Sequence, residues 1–362
     1  MNYNEMLIYL NAKGISNSEI LVIDEFFTDN DLTADDLKDI TNNIELKNLV
    51  QKGTFQKLKA YDEDLLEKLF EYNEKHGIKV ITFNDEIYPV SLKLIENSPA
   101  VLYYMGSFDE ETIKIAIVGA RNHTEYGAYV TEKFASELSQ LGVEIVSGMA
   151  YGIDGIAHMS ALKFGARTTC VLGTGVDICY PAKNRKIYDE VREKGLILSE
   201  FPPTSGPLPY RFPLRNRIIS GLSDGVIVVE AKDRSGSLIT ARVGAEQGKE
   251  VFAVPGNINS IYSEGTNKLI RDGAIIALEI DDIIDNVYKL KELCIERNNK
   301  HMKRELGEDE LVVYDLIVAG KSDVDSIVAN TNFSVSQVNG ILTVLEIKGV
   351  IREESMGRFM II

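Results

Sequence analysis

The sequence predicts an α/β fold built on a mostly parallel sheet for the middle of this chain, and two observations carry that prediction. Between Ile113 and Ile284, near-continuous apolar runs (IKIAIVG, VEIVSG, TTCVLG, LILSE, GVIVVE, KEVFAV) alternate with helical patterns. One such pattern is Tyr126–Leu141, where Val130, Phe134, Leu138 and Leu141 mark a single face. Strands covered on both faces read as continuous Val/Ile/Leu runs rather than as alternation. The second observation is that Gly, Ser and Arg concentrate just after these runs, at the strands' carboxyl ends. Open α/β sheets bind ligands there. The fold class expected is therefore α/β: a Rossmann-like parallel sheet core over residues 113–289, with its site at that edge.

The flanks differ from the core. Residues 1–75 read as short helices broken by polar turns at Ser16–Ser18 and Thr28–Thr33. Apolar residues recur at helical spacing in Leu46, Leu49, Val50 and in Leu65, Leu66, Leu69, Phe70. A small helical N-terminal domain (SAM or helix-hairpin-helix-like) is expected. Residues 76–112 read as a connector with short strands (IKVITF, AVLYYMG) around a turn at Tyr88-Pro89. The charged stretch 290–307 reads as a linker, helical in part. Residues 308–362 predict three helices, over Glu310–Ala319, to about Val328 and over Val335–Lys348, then a hairpin turning at Gly357. That order matches a winged-helix-like C-terminal domain.

Composition places the 362 residues among ordinary globular proteins, since 44% hydrophobic and 26% charged residues suffice for a full core and a solvated surface. No basic region followed by an apolar one opens the chain, so no secretory signal is expected. No run approaches the roughly 18 apolar residues of a membrane span. Three cysteines (Cys170, Cys179, Cys294) without a CxxC pair suggest reduced thiols in a cytoplasmic protein. The net charge of −16 argues at first against a nucleic-acid partner. Its distribution weakens that argument: residues 1–110 carry a net −11, residues 111–290 only −2, and residues 291–362 a net −3. A local basic groove on the central domain is compatible with these values.

Five motifs lie at the predicted strand ends. In GARNHTEYG (119–127), Gly119 lets the backbone turn, and Arg121 projects where a guanidinium can fork onto a phosphate or pair with a surface carboxylate. In SGMAYGIDGIAH (147–158), Ser147, Gly148, Gly152 and Gly155 do not keep the spacing of a dinucleotide fingerprint. Asp154 and His158 raise the question of a metal, but further ligands are lacking, and a helix-capping Asp154 with a packed His158 is favoured. In TGVDICYPAKNRK (174–186), Lys183, Arg185 and Lys186 form a basic run, a solvated helix face or a groove wall.

PLPYRFPLRNRIISG (207–221) is the most informative stretch. Pro213 fits the first turn of a helix, which places Arg211, Arg215 and Arg217 near its N-terminus. Cations there oppose the helix dipole unless an anion intervenes. Tyr210 and Phe212 interleave with them, and aromatics beside cations suit unpaired bases. The alternative is that the aromatics are core and the arginines pair with Glu200 or Glu230. In RSGSLITA (234–241), Ser235, Gly236 and Ser237 form a turn whose amides can cradle an anion, with Ser237 the expected N-cap. No GxxxxGK[ST] loop is present, GTGVD (173–177) lacks the third glycine of an NAD site, and no catalytic triad is suggested. No cofactor and no metal are expected.

In this order and spacing, GARNHTEYG, SGMAYGIDGIAH, LGTGVDICYP, FPLRNRIISGLS, RSGSLITA and VPGNI resemble the DprA/Smf family of DNA-processing proteins over about residues 80–285. The resemblance implies single-stranded DNA binding by the Rossmann-like domain, delivery of that DNA to the RecA recombinase in natural transformation or related recombination, and a homodimer. The family's Gly-x-Arg phosphate contact falls on Arg121. Its FPxRNR motif falls on Phe212, Pro213, Arg215, Asn216 and Arg217. Two lysines found in some members are shifted: Ala182 follows Tyr180-Pro181, with Lys183 next, and Pro209 stands before the FPxRNR motif, with Arg211 nearby. Two other functions fit the residues less well. A nucleotide phosphoribohydrolase would need PGGxGTxxE where this chain reads RSGSLITARVGAE. A duplex-reading regulator would need basic residues on Ser334–Lys348, which has one. A non-catalytic single-stranded DNA mediator is the expectation.

Overall fold

The computed structural model describes residues 1–39, 43–355 and 357–361, with the backbone alone for 298–304. It divides into two compact units, Met1–Lys289 and Leu290–Ile362. The first unit opens with helices α1 (Tyr3–Ala12), α2 (Asn17–Asp29), α3 (Ile44–Leu49), α4 (Lys52–Lys59) and α5 (Leu65–His76). Strand β1 (Lys79–Thr82), helix α6 (Val90–Lys93) and strand β2 (Val101–Gly106) follow. The alternating part then runs β3 (Lys114–Val118), α7 (Glu125–Gln140), β4 (Glu144–Ser147), α8 (Ile153–Lys163), β5 (Thr168–Val171), α9 (Arg185–Lys194) and β6 (Leu196–Ser199). It continues with α10 (Arg211–Leu222), β7 (Gly225–Val228), α11 (Gly236–Glu246), β8 (Glu250–Ala253), α12 (Glu264–Arg271), β9 (Ile275–Ile276) and α13 (Ile280–Asn286).

The nine strands form one sheet in the order β1-β2-β6-β5-β4-β3-β7-β8-β9. From β6 to β9 the pairing is parallel, and β1 and β2 add an antiparallel edge. All six apolar runs named from the sequence are strands of this sheet. Their residues are buried on both sides, as continuous runs require. The chain builds β3 to β6 outward in one direction, then returns through α10 to place β7 on the other side of β3. The order reverses between β3 and β7, which opens a crevice at their carboxyl ends.

The boundary expected at residues 75/76 is absent from the packing. Met6, Leu7, Ile20 and Phe27 of the N-terminal helices share one apolar cluster with Tyr103, Met105, Cys170, Leu172 and Ile197 of the sheet. The apolar faces of these helices are buried against the sheet as well as against one another. The connector is likewise absorbed: Leu102 and Tyr104 of β2 face the opposite cluster, with Leu198, Ile218 and Val226.

In the second unit, α14 (Tyr288–Glu305) occupies the expected linker as an 18-residue helix, because its Lys, Glu, Leu and Arg favour helix despite few apolar residues. Helices α15 (Glu308–Val318), α16 (Val324–Ala329) and α17 (Val335–Ile347) pack around Val313, Ile327, Leu342 and Leu345. Strands β10 (Ile351–Ser355) and β11 (Arg358–Ile361) form the antiparallel wing, with Gly357 at φ +74 beside the turn. This is a winged-helix arrangement. Met356 and Ile362 lie outside the described residues.

Two buried polar anchors brace the sheet, the first beyond the carboxyl end of β6 and the second at the start of β5. Arg217 of α10 forms a two-bonded ion pair with Glu200, both contacts 2.7 Å, and its Nε donates to the Asn97 carbonyl at 3.0 Å. Both side chains are over 90% buried. Removing one partner strands the other charge away from water, so Glu200→Ala is expected to lower unfolding free energy by about 3–5 kcal/mol, measurable by urea denaturation.

The second anchor is His158 of α8, fully buried, whose Nδ1 lies 2.7 Å from Thr168 Oγ1. That hydroxyl donates to the Ile145 carbonyl, so the imidazole proton sits on Nδ1 and Nε2 is bare. Burial, with Arg215 nearby, pushes the His158 pKa down to about 3. The unfolded chain therefore takes up a proton that the folded one refuses as pH falls from about 6.5 towards 3. His158 contributes a stability loss of about 1.4 kcal/mol per pH unit across that window. The variant His158→Asn is expected to show a correspondingly shallower pH dependence of stability, and an unchanged slope would refute the assignment.

Candidate nucleic-acid interface

The crevice between β3 and β7 is a cleft of about 440 Å³. Each wall follows from a strand end. After β3, Gly119 packs so closely on α8 that a Cβ there would lie 2.7 Å from Ile153 Cγ1. The chain then turns outward and presents Arg121, exposed, at the mouth. After β4, Gly148 leaves room for the Arg215 guanidinium, which a Cβ would meet at 2.6 Å. After β7, the loop Lys232–Ser235 leads into α11, whose first turn faces the cleft. Helix α10 closes the remaining side with Phe212, Pro213, Arg215 and Asn216.

The aromatic ring of Phe212 organises this space. The Arg121 guanidinium lies 5.8 Å from its centroid and the Arg215 guanidinium 6.0 Å. Tyr180, 44% exposed, sits at a centroid distance of 5.6 Å. Both guanidiniums are within the range of a cation–π contact. The N-terminus of α11 adds the positive end of a helix dipole, and Lys232 and Arg234 stand exposed beside it. Among the described residues that line the cleft, Asp154 is the only carboxylate, and it is already engaged. Its Oδ2 accepts from the amides of Gly148 at 3.1 Å and Ala150 at 3.3 Å. Burial pushes its pKa up, while Arg215 and the two amides pull it back. The loop after β4 thus carries its own internal anion, and an external one is left with Arg121 and the start of α11.

The structure sorts the residues singled out from the sequence. Gly119, Arg121, Phe212, Arg215, Asn216, Ser235, Gly236 and Ser237 line the cleft together. Within that group the roles differ. Arg215 is 4% exposed and donates to the carbonyls of Gly148 (2.9 Å) and Val171, which ties α10 to the ends of β4 and β5. Asn216 accepts from Arg215 Nε and donates to the Gly236 carbonyl at 3.2 Å, tying α10 to α11. Ser235, rather than Ser237, is the N-cap of α11, because the helix begins at Gly236 and the Ser235 hydroxyl accepts from the Ser237 amide.

Other residues lie away from the cleft. Ser147 is fully buried, its hydroxyl donating to the Ile117 carbonyl at 2.6 Å. Arg217 points to the opposite side of α10 and is held by Glu200, the carboxylate pairing that the sequence left open. Arg211 lies over the Phe201 ring at 4.7 Å, on a second cleft. Lys183 is exposed on the turn Ala182–Asn184 before α9. Asp154 sits one residue inside α8, whose N-cap is Gly152, so it caps the preceding loop rather than the helix. Sequence reasoning passed over Lys232 and Tyr180 as site residues; the signal for Lys232 was its place in the same loop as Ser235.

Among the described residues, no cluster of His, Cys, Asp or Glu could hold a metal ion, and no helix is long and apolar enough to cross a membrane.

Comparison with known proteins places this geometry. Residues 79–288 match the family model for DNA recombination-mediator protein A, and residues 301–355 match that for the DprA winged helix domain. The chain is 44% identical to the DNA processing protein DprA of Bacillus subtilis over 218 residues, 60% of this chain and 73% of the relative. It is 38% identical to that of Streptococcus pneumoniae over 286 residues, 78% of this chain and 97% of the relative. The X-ray structure of the S. pneumoniae protein superposes with a TM-score of 0.70 at 36% identity, covering 79% of this chain and 99% of that one. DNA processing protein A from Helicobacter pylori, solved for its single-stranded DNA binding mode, superposes with a TM-score of 0.53 at 34% identity, covering 58% and 96%. The chain belongs to the DNA recombination-mediator protein A (DprA) family.

Proposed function

We propose that this protein is a non-catalytic mediator that binds single-stranded DNA in the cleft between β3 and β7. The observation that carries this reading is Phe212, near the guanidiniums of Arg121 and Arg215 and lining one cleft with the start of α11. A ring at the cleft wall offers a base a stacking surface, and Arg121, Lys232 and Arg234 offer phosphates a charge. Stacking demands an unpaired base, so the ligand is a single strand rather than a duplex. The relative from H. pylori, with its single-stranded DNA binding mode, supports the same reading. The single carboxylate of the cleft is occupied by backbone amides, which supports binding rather than acid–base chemistry.

Family membership supports the further role: delivery of the bound strand to the RecA recombinase, by a homodimer in the cytoplasm, during DNA uptake or related recombination. The phosphate-binding set we assign is Arg121, Lys232, Arg234 and the first turn of α11, with Lys183 as an outlying contact. Arg215, Asn216, Gly148 and Arg217 build the cleft.

Arg121→Ala is expected to weaken oligothymidylate binding and to reduce the slope of log affinity against log salt by about one contact's worth, ~0.7. Fluorescence anisotropy across a salt series reads both, and a duplex of the same length should bind more weakly. Phe212→Ala is expected to cost about 1–3 kcal/mol of binding with little change in salt slope, since it removes a stack and not a charge. Unchanged affinity in both variants would exclude this cleft. RecA delivery is checked by filament assembly on strands precoated with single-strand-binding protein: the wild type should accelerate assembly and Arg121→Ala should not.

A further inference from the structure

A second cleft, of about 590 Å³, lies on the other side of the Pro209–Leu214 ridge, between that ridge and helices α1 and α5. Its wall includes Lys13 of α1, Lys68 of α5 and Arg211 of α10, and the one carboxylate that lines it among the described residues is Glu200, which Arg217 neutralises. Three cations without a counterion on the wall stand out in a chain of net charge −16. Lys68 pairs with Asp64 at 3.2 Å, but both groups are about two-thirds exposed, and such surface pairs exchange readily for other anions. Arg211 is the more telling group. Its Nη1 donates to the Gly206 carbonyl and its face lies on Phe201, yet its buried Nε has no partner among the described residues.

The two clefts share one ridge. Phe212 and Pro213 face the first, and Tyr210, Arg211 and Leu214 face the second, with Tyr210 59% exposed. Tyr72 of α5 contributes a further ring to the second wall, fixed by its hydroxyl's bond to Asp177 at 2.9 Å. Cations alternate with rings along this whole path, which is the composition of a groove that follows a backbone and stacks bases. We propose that the strand bound in the first cleft continues over Tyr210 into the second, so that the N-terminal helices form part of the single-stranded DNA site. This inference rests on the function proposed above for the first cleft.

The test is binding of the full chain to oligothymidylates of about 6 and about 20 nucleotides, lengths that bracket a single groove's footprint. Tyr210→Ala combined with Lys68→Ala is expected to lose about five-fold or more on the long strand and nothing on the short one. Arg121→Ala is expected to weaken both lengths. If the double variant matches wild type at both lengths while Arg121→Ala weakens binding, the second cleft is excluded and the first stands. If Arg121→Ala has no effect at either length, the underlying function itself falls. Photocrosslinking a long strand carrying 5-iododeoxyuridine gives an independent reading: adducts on Tyr210 or Tyr72 support the continued path, and adducts confined to the first cleft overturn it.

Discussion

A guanidinium cut off from water at the carboxyl ends of β4 and β5 sets the terms for everything around it. Burial works against the charge of Arg215, so the side chain must be met by acceptors, and the surrounding backbone provides them: the carbonyls of Gly148 and Val171 and the side chain of Asn216. Position 148 must lack a Cβ because the guanidinium fills that volume. Asp154 lies close enough to offset the charge and orders the Gly148–Ala150 loop in doing so. Asn216 passes the constraint to α11 through the Gly236 carbonyl. Three strand-end loops and two helix N-termini are thereby fixed relative to one another, and the cleft is the space they leave. Preorganisation of this kind lowers the ordering cost when a flexible strand binds.

The same arrangement is compatible with the polyanionic ligand proposed for an acidic protein. Average charge governs encounter at long range, but beyond about 8–10 Å it is screened at physiological salt. Within that distance the proposed ligand would meet Arg121, Lys232 and Arg234 and the positive end of α11, while the one carboxylate that lines the cleft among the described residues is turned inward onto amides. Two arginines of the RNR triplet divide the labour. Arg215 builds the floor and Arg217 locks α10 to Glu200 on the other side. Neither projects freely, and the exposed guanidiniums of the cleft, Arg121 and Arg234, come from other loops.

The N-terminal helices belong to this architecture energetically. Their apolar residues complete one face of the sheet over β2, β5 and β6, so stability of the helical segment and of the sheet is shared. That continuity brings Lys13, Lys68 and Tyr72 to the edge where the strand ends and α10 emerge. The winged-helix unit has its own small core around Val313, Ile327 and Leu342 and folds on separate terms.

What the sequence by itself determined was the class of fold and the sheet edge at which the glycine, serine and arginine motifs gather. Apolar runs such as IKIAIVG and GVIVVE report burial on both faces, and that is a local property of consecutive residues. That Gly119 and Gly148 stand where side chains cannot is by contrast a tertiary matter, since Ile153 of α8 and the Arg215 guanidinium of α10 fill the space. The tertiary structure alone decided which residues of a motif face the cleft. Arg215 and Arg217 are two residues apart on a helix and so point about 200° from each other, and no spacing rule says which direction holds Glu200, 17 positions earlier in the chain. The cap of α11 fell on Ser235 instead of Ser237 because the helix begins at Gly236, whose carbonyl also accepts from Asn216 of α10. The helical N-terminus merged with the sheet because burial is settled by whichever apolar face is in reach. A chain's local pattern encodes what must be buried, while the partner that buries it comes from elsewhere in the fold, and the arginine and aromatic edge around Arg121 and Phe212 exists only once those partners have met.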